Sequence, residues 1–293
     1  MSVKSSFMEI NSIRDETDKS LQERDHDIEI KEESPSPEPS TTQEQQQDIL
    51  RSTESDNDPE TTVLFILVYV DDLILTSNVL EEITKFKQIL SAEFKMTDLG
   101  KLKHFLGLHI IRDEETGTLK ITQKKFLQKI ISKFHMDSAK TISTPIESRL
   151  SLQKETLVET EKPYHELIRS LMYLMLGTRP DISFAVNYFS RFQSKPSEDH
   201  WMYLKRILRY LKETEDLELV YKNHPNVTPL VGYTDADWGG DDHDRHSTSG
   251  CTFFALGNRV SWRTRKQATV ALSSTEAEYI ALCEGACKGV WLN

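Results

Sequence analysis

The stretch Val63-Leu-Phe-Ile-Leu-Val-Tyr-Val-Asp-Asp-Leu-Ile-Leu-Thr-Ser-Asn78 decides how this chain folds. Its first half is aliphatic, β-branched and aromatic without alternation, which is typical of a strand buried on both faces. Asp71 and Asp72 interrupt this run, and the residues from Leu73 resume the strand pattern. Two strands joined by a tight acidic turn predict a β-hairpin with two carboxylates at its tip.

Asp71 and Asp72 are adjacent carboxylates, and their like charges repel each other unless a cation lies beside them. Hard Mg²⁺ prefers oxygen ligands, and phosphoryl transfer by two metal ions requires a rigid acidic support of this kind. The tip of the hairpin is therefore a candidate metal site. An ordinary turn that contains aspartate is the structural alternative.

The negative charge of the chain is concentrated in its first 60 residues. The 293 residues carry 36 Lys and Arg against 47 Asp and Glu, for a formal net charge of −11. Residues 1–60 hold 6 of the basic and 17 of the acidic side chains, so the remaining residues are neutral as a group. Segments such as 31–40 and 43–47 are rich in Glu, Ser, Pro and Gln and cannot bury enough apolar surface to fold. We therefore expect residues 1–60 to form a disordered acidic tail.

Composition excludes several other protein classes. Three cysteines in 293 residues exclude a disulfide-stapled secreted scaffold. The longest apolar run, residues 63–70, is far shorter than the roughly 20 residues of a transmembrane helix. The first residues lack the apolar segment of a signal peptide. These observations predict an intracellular protein that does not contact a membrane.

Helical spacing of apolar residues dominates the middle of the chain. It predicts helices over residues 79–93 and 123–135, with a second hairpin between them over residues 103–122. Residues 163–212 have the pattern of three helices, broken at Arg179-Pro180 and at Lys195-Pro196.

Residues 229–293 have the pattern of three strands followed by a helix. The strands are predicted at Leu230–Asp235, Gly250–Leu256 and Arg259–Thr264, and Ser273-Ser-Thr-Glu276 has the capping-box pattern of a helix start. A strand end and a helix start can bring Asp235 and Glu276 to one metal ion, because a helix N-terminus also favours anionic groups. Capping alone is the alternative for Glu276, and Asp237 is the alternative ligand to Asp235.

Basic residues occur near this acidic pair. Arg263 and Arg265 alternate onto one face of the last strand, and together with Lys266 they suit contacts to phosphate. The third helix of the middle region is basic on its outer side, where Lys205 and Arg209 lie, and it is a further candidate for phosphate binding. A solvated charged face is the alternative for both groups.

Three further features are weaker candidates. The acidic loop over residues 237–244 is predicted to be a solvated surface. Cys283 and Cys287 share a helix face, but no other soft ligand lies near them in sequence, so they are predicted to be small core residues. His104 and His109 bracket an apolar strand and are predicted to be structural.

Several segments resemble one known family in the order in which that family has them. Tyr69-Val-Asp-Asp-Leu-Ile-Leu-Thr76 resembles the polymerase hairpin of reverse transcriptases, and Asp98-Leu-Gly-Lys-Leu-Lys-His-Phe-Leu-Gly-Leu108 resembles the segment that follows it in Ty1/copia-type retrotransposon Pol polyproteins. Thr178-Arg-Pro-Asp-Ile182 resembles the connection region of this family. Tyr233-Thr-Asp-Ala-Asp-Trp238 and Ala271-Leu-Ser-Ser-Thr-Glu-Ala-Glu-Tyr279 resemble its ribonuclease H domain.

The resemblance implies an α+β fold in four parts. These are the disordered acidic tail at 1–60, a partial reverse-transcriptase palm and thumb at 61–145, connection helices at 146–228, and a truncated ribonuclease H-like α/β domain at 229–293. The implied reactions are RNA-directed DNA synthesis and hydrolysis of the RNA in an RNA–DNA hybrid.

The resemblance also implies site residues, cofactors and partners. Asp71 and Asp72 are expected to be catalytic metal ligands of the polymerase, and Asp235 and Glu276 the first two metal ligands of the ribonuclease H. Mg²⁺ or Mn²⁺ is the expected cofactor, and an RNA or DNA template–primer or an RNA–DNA hybrid is the expected partner. The family location is the cytoplasm or a virus-like particle, with the nucleus as the alternative.

The sequence departs from the family at both ends of the resemblance. The polymerase needs a further metal-binding Asp on a strand upstream of the hairpin, and nothing in residues 1–60 resembles that strand. The ribonuclease H needs a third carboxylate after the last helix. We therefore expect the hairpin over residues 63–78 to lack cover on an edge or a face, metal binding to be weak or absent, and this chain alone to be inactive. The alternatives are a co-opted, non-enzymatic nucleic-acid-binding or interaction protein, and a chain without selected function.

Overall fold

The computed structural model describes residues 4–10, 49–50, 62–147, 160–241 and 244–293. The chain divides into two compact units, Met1–Leu102 and Lys103–Asn293. Among the described residues, the first unit combines antiparallel sheet with one helix and the second combines it with several, which agrees with the predicted mixed α+β class. Within the described residues, every helix is too short or too polar to traverse a bilayer.

The first unit contains a five-stranded sheet with strand order β2-β3-β4-β1-β5. Its elements are β1 (Lys4–Ile10), β2 (Ile49–Leu50), β3 (Leu64–Tyr69), β4 (Asp72–Ser77), α1 (Leu80–Glu93) and β5 (Met96–Gly100). Strands β3 and β4 form the predicted hairpin, in which Leu64 lies opposite Ser77 and Tyr69 opposite Asp72. The helix predicted over residues 79–93 is α1, whereas β5 was not predicted.

One face of this sheet carries the apolar core of the first unit. Leu73 and Leu75 alternate along β4 and pack with Met8 of β1 and Ile83 of α1. On β3, by contrast, Phe65 is 52% exposed. The prediction that this strand is buried on both faces is therefore wrong. Among the described residues, helix α1 covers the face of the sheet that carries Leu73, and Phe65 lies on the opposite face.

Two short strands come from the segment that we expected to be a disordered tail. Strand β1 pairs with β4 on one side and with β5 on the other, and β2 pairs with β3. The register places Glu9 opposite Asp72. Because both edges of the hairpin are paired, the expectations of a disordered tail and of an uncovered edge are wrong at these strands. The exposure of Phe65 agrees with the alternative expectation of an uncovered face. The rest of residues 1–60 lies outside the described part of the chain.

The second unit begins with a four-stranded sheet of order β6-β7-β8-β9. Its strands are β6 (His104–Phe105), β7 (Leu108–Asp113), β8 (Thr118–Thr122) and β9 (Leu219–Tyr221). Strands β7 and β8 form the second predicted hairpin. Strand β9 is short and pairs with β8, from which it is separated in sequence by four helices. Local sequence patterns therefore did not predict it.

Helices form the main apolar core of the second unit. They are α2 (Lys124–Lys133), α3 (Tyr164–Gly177), α4 (Ser183–Ser190) and α5 (Glu198–Glu213), with a 3₁₀ turn at Pro180–Ile182 between α3 and α4. Leu171, Phe189 and Leu204 are fully buried where these helices meet. The four helices occur where apolar spacing predicted helices, over residues 123–135 and 163–212.

A third sheet packs against these helices. It contains β10 (Leu230–Asp237), β11 (Thr248–Ala255) and β12 (Asn258–Lys266), and α6 (Ser274–Leu292) packs on β10 and β11. The side-chain amide of Asn187 on α4 donates to the carbonyl of Thr264 at 3.1 Å. The indole N–H of Trp262 donates to the carbonyl of Met175 on α3 at 2.9 Å. These bonds tie the sheet to the helical core within one compact unit.

The division into units differs from the predicted boundaries. We expected boundaries after residues 60, 145 and 228, whereas the chain divides after Leu102. Helix α2 belongs to the second unit because Leu127, Ile130 and Ile131 are buried in the core that α3, α4 and α5 form. The apolar face of an amphipathic helix packs on a core, and that core determines the unit to which the helix belongs.

Arg179 anchors the 3₁₀ turn to the end of α5. Its side chain is 3% exposed, and its guanidinium donates to both carboxylate oxygens of Asp181, at 3.0 and 2.7 Å. It also donates to the carbonyl of Thr214 at 3.1 Å, and the hydroxyl of Tyr210 donates to Asp181 at 2.8 Å. Burial alone raises the pKa of Asp181, but the hydrogen bonds and charge of Arg179 outweigh it, so this pKa lies below its ordinary value.

We predict that Arg179→Ala lowers the free energy of unfolding by about 3 kcal/mol, because it leaves the Asp181 carboxylate half-buried without its partner. The folded-state pKa of Asp181 is depressed, so the contribution of the pair is present above the unfolded pKa of about 3.9 and is lost as the pH falls through the folded pKa. The difference in free energy of unfolding between the wild type and Arg179→Ala should therefore become smaller at acidic pH.

Urea denaturation at pH 7 and at pH 3 measures both effects. The control is Arg169→Ala, which removes the same charge from an exposed position on α3 and should change stability by less than about 0.5 kcal/mol. Equal losses in the two variants would show that Arg179 is not an anchor.

Candidate functional site

The turn between β3 and β4 consists of two residues, Val70 and Asp71. Val70 has a φ of 53° and is 83% exposed. A β-branched residue in this left-handed region is strained, because its Cβ crowds the backbone. Paired strands on both sides of the hairpin hold this conformation in place, and strain of this kind is often found at functional sites.

The strained turn presents two carboxylates at the end of the hairpin. Asp71 is exposed, and Asp72 is the first residue of β4. Partial burial and then the charge of Asp71 raise the pKa of Asp72 above its ordinary value. A divalent cation would relieve this repulsion, and the carboxylate oxygens suit Mg²⁺ or Mn²⁺. Among the side chains that the structure describes, no third His, Cys, Asp or Glu completes a metal-binding group with them.

A second candidate site lies on the face of the third sheet opposite α6. Thr234 packs beneath α6 at Gly285, and alternation along β10 therefore directs Asp235 to the other face. The strand register aligns Asp235 with Gly250 and Thr264 in one row across the sheet. A cavity of about 250 Å³ opens along this row, bounded on its far side by the start of α4.

Glu276 belongs to the first turn of α6, which packs on the opposite face of the sheet from Asp235. Its carboxylate accepts the N–H of Leu272 at 2.7 Å, and its own N–H donates to the Ser273 hydroxyl at 3.2 Å. Glu276 does not line the cavity that contains Asp235. The contacts of Glu276 are those of a capping residue, and its sharing of a metal ion with Asp235 stays a prediction.

Residues 47–148, which contain the acidic hairpin, match the family model described as reverse transcriptase (RNA-dependent DNA polymerase). The chain is 39% identical over 241 residues to the retrovirus-related Pol polyprotein from transposon TNT 1-94 of Nicotiana tabacum. It is 32% identical over 224 residues to the putative transposon Ty5-1 protein of Saccharomyces cerevisiae, and this match covers 72% of that protein. The chain belongs to the copia-type retrotransposon Pol family.

This copia-type chain corresponds to a limited part of the long polyproteins. The match to the tobacco polyprotein covers 80% of the chain and 18% of the polyprotein. A match to an uncharacterized mitochondrial protein of Arabidopsis thaliana is 37% identical over 233 residues and covers 94% of that protein. No solved structure is significantly similar to the chain. The reverse-transcriptase match begins at residue 47, inside the segment that we had assigned to the tail.

The predicted phosphate-binding residues of the last strand have different environments in the copia-type chain. Arg263 and Arg265 are exposed and line a small crevice beneath α6. Lys266 instead donates to Asp241 at 2.5 Å and to Asp244 at 2.6 Å. The two arginines therefore remain accessible to a ligand, whereas Lys266 is engaged within the chain.

The basic side of α5 holds the segment that follows α2. The Nε of Arg209 donates to the carbonyl of Lys140 at 2.6 Å, and Arg206 donates to Glu147 at 2.9 Å. Lys212 donates to the carbonyl of Ala139 at 3.0 Å. Lys205 is half-buried on the same helix. These contacts give Arg209 a structural function that its charge alone did not indicate, and nucleic-acid binding by Lys205 and Arg209 stays a prediction.

Asp241 is the clearest site residue that sequence reasoning missed. We expected it to be a solvated loop residue, but it is 4% exposed and accepts from Arg191, directly after α4, at 2.9 Å as well as from Lys266. Asp244 joins the same network, and Asp242 lies outside the described residues. The sequence offered no signal for this, because Arg191 and Asp241 meet only once the sheet packs on α4.

The weaker candidates have mixed outcomes. Cys283 and Cys287 are exposed, so the prediction that they are core residues is wrong. This error arose because α6 is apolar around most of its circumference, and Tyr279 is 75% exposed on its outer side. His104 and His109 stack across β6 and β7 with ring centroids 4.8 Å apart, which agrees with a structural function.

We predict that Val70→Gly raises the free energy of unfolding by about 1 kcal/mol. Glycine adopts positive φ without steric cost, and Val70 is too exposed for the loss of its side chain to matter. Chemical denaturation followed by circular dichroism measures the change.

The matched control is Val220→Gly in β9, which removes the same atoms from a 42% exposed position that is paired in regular register with Lys120. This variant should lose about 0.5–1 kcal/mol, since glycine weakens a strand interior. Equal destabilisation by both substitutions would show that the turn at Val70 stores no strain.

Proposed function

We propose that this chain is the part of a copia-type Pol protein that supplies the aspartate hairpin of an RNA-directed DNA polymerase. The observation that supports the proposal is the strained two-residue turn, which lies inside the reverse-transcriptase match and presents Asp71 and Asp72 side by side. Rigid presentation of two carboxylates is what a metal-dependent nucleotidyl transfer requires of a protein.

Asp71 and Asp72 would hold Mg²⁺ or Mn²⁺ through their carboxylate oxygens. The bound ions would supply charge stabilisation to a triphosphate and activation of a primer hydroxyl. The contribution of the chain is to fix both carboxylates, because β1, β3 and β4 set the position of the turn. The raised pKa of Asp72 fits this donor set, since a cation favours the ionised form that partial burial and the charge of Asp71 oppose.

We extend the proposal to residues 229–293 as the first part of a ribonuclease H-like domain. Three antiparallel strands followed by a helix support it, together with Asp235 on the first strand and Glu276 at the start of the helix. The two carboxylates would bind a divalent ion loosely, because Mg²⁺ retains much of its hydration shell when few ligands are present. Cleavage needs two ions with defined geometry, so we expect none from these residues alone.

The partner in this proposal is a template–primer duplex or an RNA–DNA hybrid. Arg263 and Arg265 are exposed on the third sheet and carry charge that phosphates attract. Binding of this kind depends on phosphate rather than on base sequence, so it should weaken steeply as salt rises.

A non-enzymatic nucleic-acid-binding protein is the second candidate function. The match that covers 94% of an Arabidopsis thaliana mitochondrial protein shows that a stretch of this extent also occurs as a short protein. Restoration of Asp71-dependent DNA synthesis by the preceding part of a related polyprotein would favour the polymerase fragment. Failure of that mixture, with binding retained, would favour the second candidate.

We predict that the purified chain binds an RNA–DNA hybrid at low salt and does not extend a primer with Mg²⁺ or Mn²⁺. Fluorescence anisotropy over a range of NaCl concentrations should give a linear fall of log affinity with log salt. The double variant Arg263→Ala, Arg265→Ala should reduce this slope by about 2, because each phosphate contact contributes about 1.

The matched control removes two cations elsewhere, by Arg169→Ala and Lys222→Ala at exposed positions, and should keep the original slope. Primer extension that disappears in Asp71→Asn would contradict the inactive state, and absence of hybrid binding at low salt would contradict the proposed partner.

A further inference from the structure

The cavity beside Asp235 has a floor of small residues and walls of aromatic ones. Gly250 and Thr252 of β11 form the floor, and Tyr233 of β10 and Trp262 of β12 stand on either side of Thr252 in the register. Two strand spacings of about 4.8 Å each separate these aromatic residues. The result is an open slot on one face of the sheet, with a volume of about 250 Å³.

Gly250 keeps the slot open at its centre. A Cβ at this position would meet nothing closer than the Asp235 carbonyl oxygen at 4.0 Å, and its φ lies outside the left-handed region. The backbone therefore does not require glycine here. A larger side chain would fit without strain and would occupy the space between Asp235 and Thr264.

Both walls of the slot are held in position by other parts of the unit. The indole N–H of Trp262 is fixed by its bond to Met175, 2.9 Å in length. Tyr233 makes an edge contact with Phe254 at 6.0 Å, and the guanidinium of Arg259 covers Phe254 at 5.2 Å. Tyr233 nevertheless remains 62% exposed, so its ring is available to a ligand.

The polar groups of the slot complement a base and its phosphate. Asp235 is exposed and accepts no hydrogen bond from any side chain or backbone group in the described residues, so both of its oxygens can accept from a ligand. Arg259 lines the same cavity and forms no ion pair within the part of the chain that the structure describes. A planar ligand fits this arrangement if one edge presents two N–H donors to Asp235 and an attached negative charge reaches Arg259.

We propose that this slot binds an unpaired guanine base of single-stranded RNA or DNA. Guanine presents two adjacent donors, N1–H and the N2 amino group, to the two oxygens of one carboxylate. Thymine and uracil present one N–H between two carbonyls, which a carboxylate repels. Aromatic side chains stack unpaired bases, and hydrogen bonds to the exposed base edge select among them. The inference concerns the chain without a divalent ion at Asp235, and it rests on the proposed function only in taking nucleic acid as the ligand.

The test compares two fluorescein-labelled eight-nucleotide DNA strands, one of thymine alone and one with a single guanine at the 3′ end. Anisotropy titrations of the full chain in EDTA and about 50 mM NaCl exclude metal-mediated contacts through Asp235. We expect the guanine strand to bind about tenfold more tightly, which is the lower range for a two-bond base contact.

Two variants locate the preference. Asp235→Asn should abolish it by removing one acceptor and the charge, and Gly250→Val should abolish it by filling the slot with a residue that suits strands. Glu278→Gln removes one negative charge from an exposed position on α6 and should leave the tenfold ratio unchanged. Circular dichroism melting tests whether each variant is folded. If Gly250→Val does not fold, Asp235→Asn alone decides the outcome.

Equal affinity of the wild type for both strands would overturn the inference, as would a preference that survives Asp235→Asn. Either result would leave the proposed function intact, because the proposed metal site lies at Asp71 and Asp72 and the proposed template–primer binding depends on phosphate contacts rather than on this slot. Failure to bind either strand or the hybrid at low salt would instead overturn the proposed function itself.

Discussion

Strand register is the constraint on which both candidate sites depend. In the first unit, pairing of β4 with β3 and β1 fixes the turn, so that Asp71 and Asp72 can lie only at its end. In the second unit, pairing of β10, β11 and β12 aligns Asp235 with Gly250. A slip of one residue in either sheet would direct these groups to the opposite face. The same pairing that buries the apolar side chains therefore also positions the carboxylates.

Charged residues serve the fold at several positions where sequence alone indicated ligand binding. Arg209 holds a backbone carbonyl, Lys266 neutralises buried Asp241, and Glu276 caps α6. A cation that is held inside the chain, as Lys266 is by Asp241, is a poor choice for a nucleic-acid surface, because releasing it would leave a buried charge without its partner. Arg263 and Arg265 are better candidates for phosphate binding, because their side chains are exposed to solvent.

The sequence predicted the local elements and not the long-range ones. Apolar spacing was sufficient for the hairpin at 63–78 and for the helices, because those patterns depend on neighbours along the chain. Strand β1 lies in a segment of polar composition and is stabilised by pairing with β4 and β5, so composition argued against it. Arg179 and Asp241 were not recognised as buried, because burial of a charge depends on partners that fold next to it. The slot at Gly250 gave no sequence signal at all.

The central claim is that the hairpin holds two carboxylates in mutual repulsion, ready for a divalent cation. Carbon-detected NMR titration of Asp72, with and without Mg²⁺, tests it most directly. The account predicts a pKa of Asp72 above the ordinary value that falls in Asp71→Asn and falls again when Mg²⁺ is added to the wild type. An ordinary pKa of Asp72 that responds neither to Asp71→Asn nor to Mg²⁺ would contradict it.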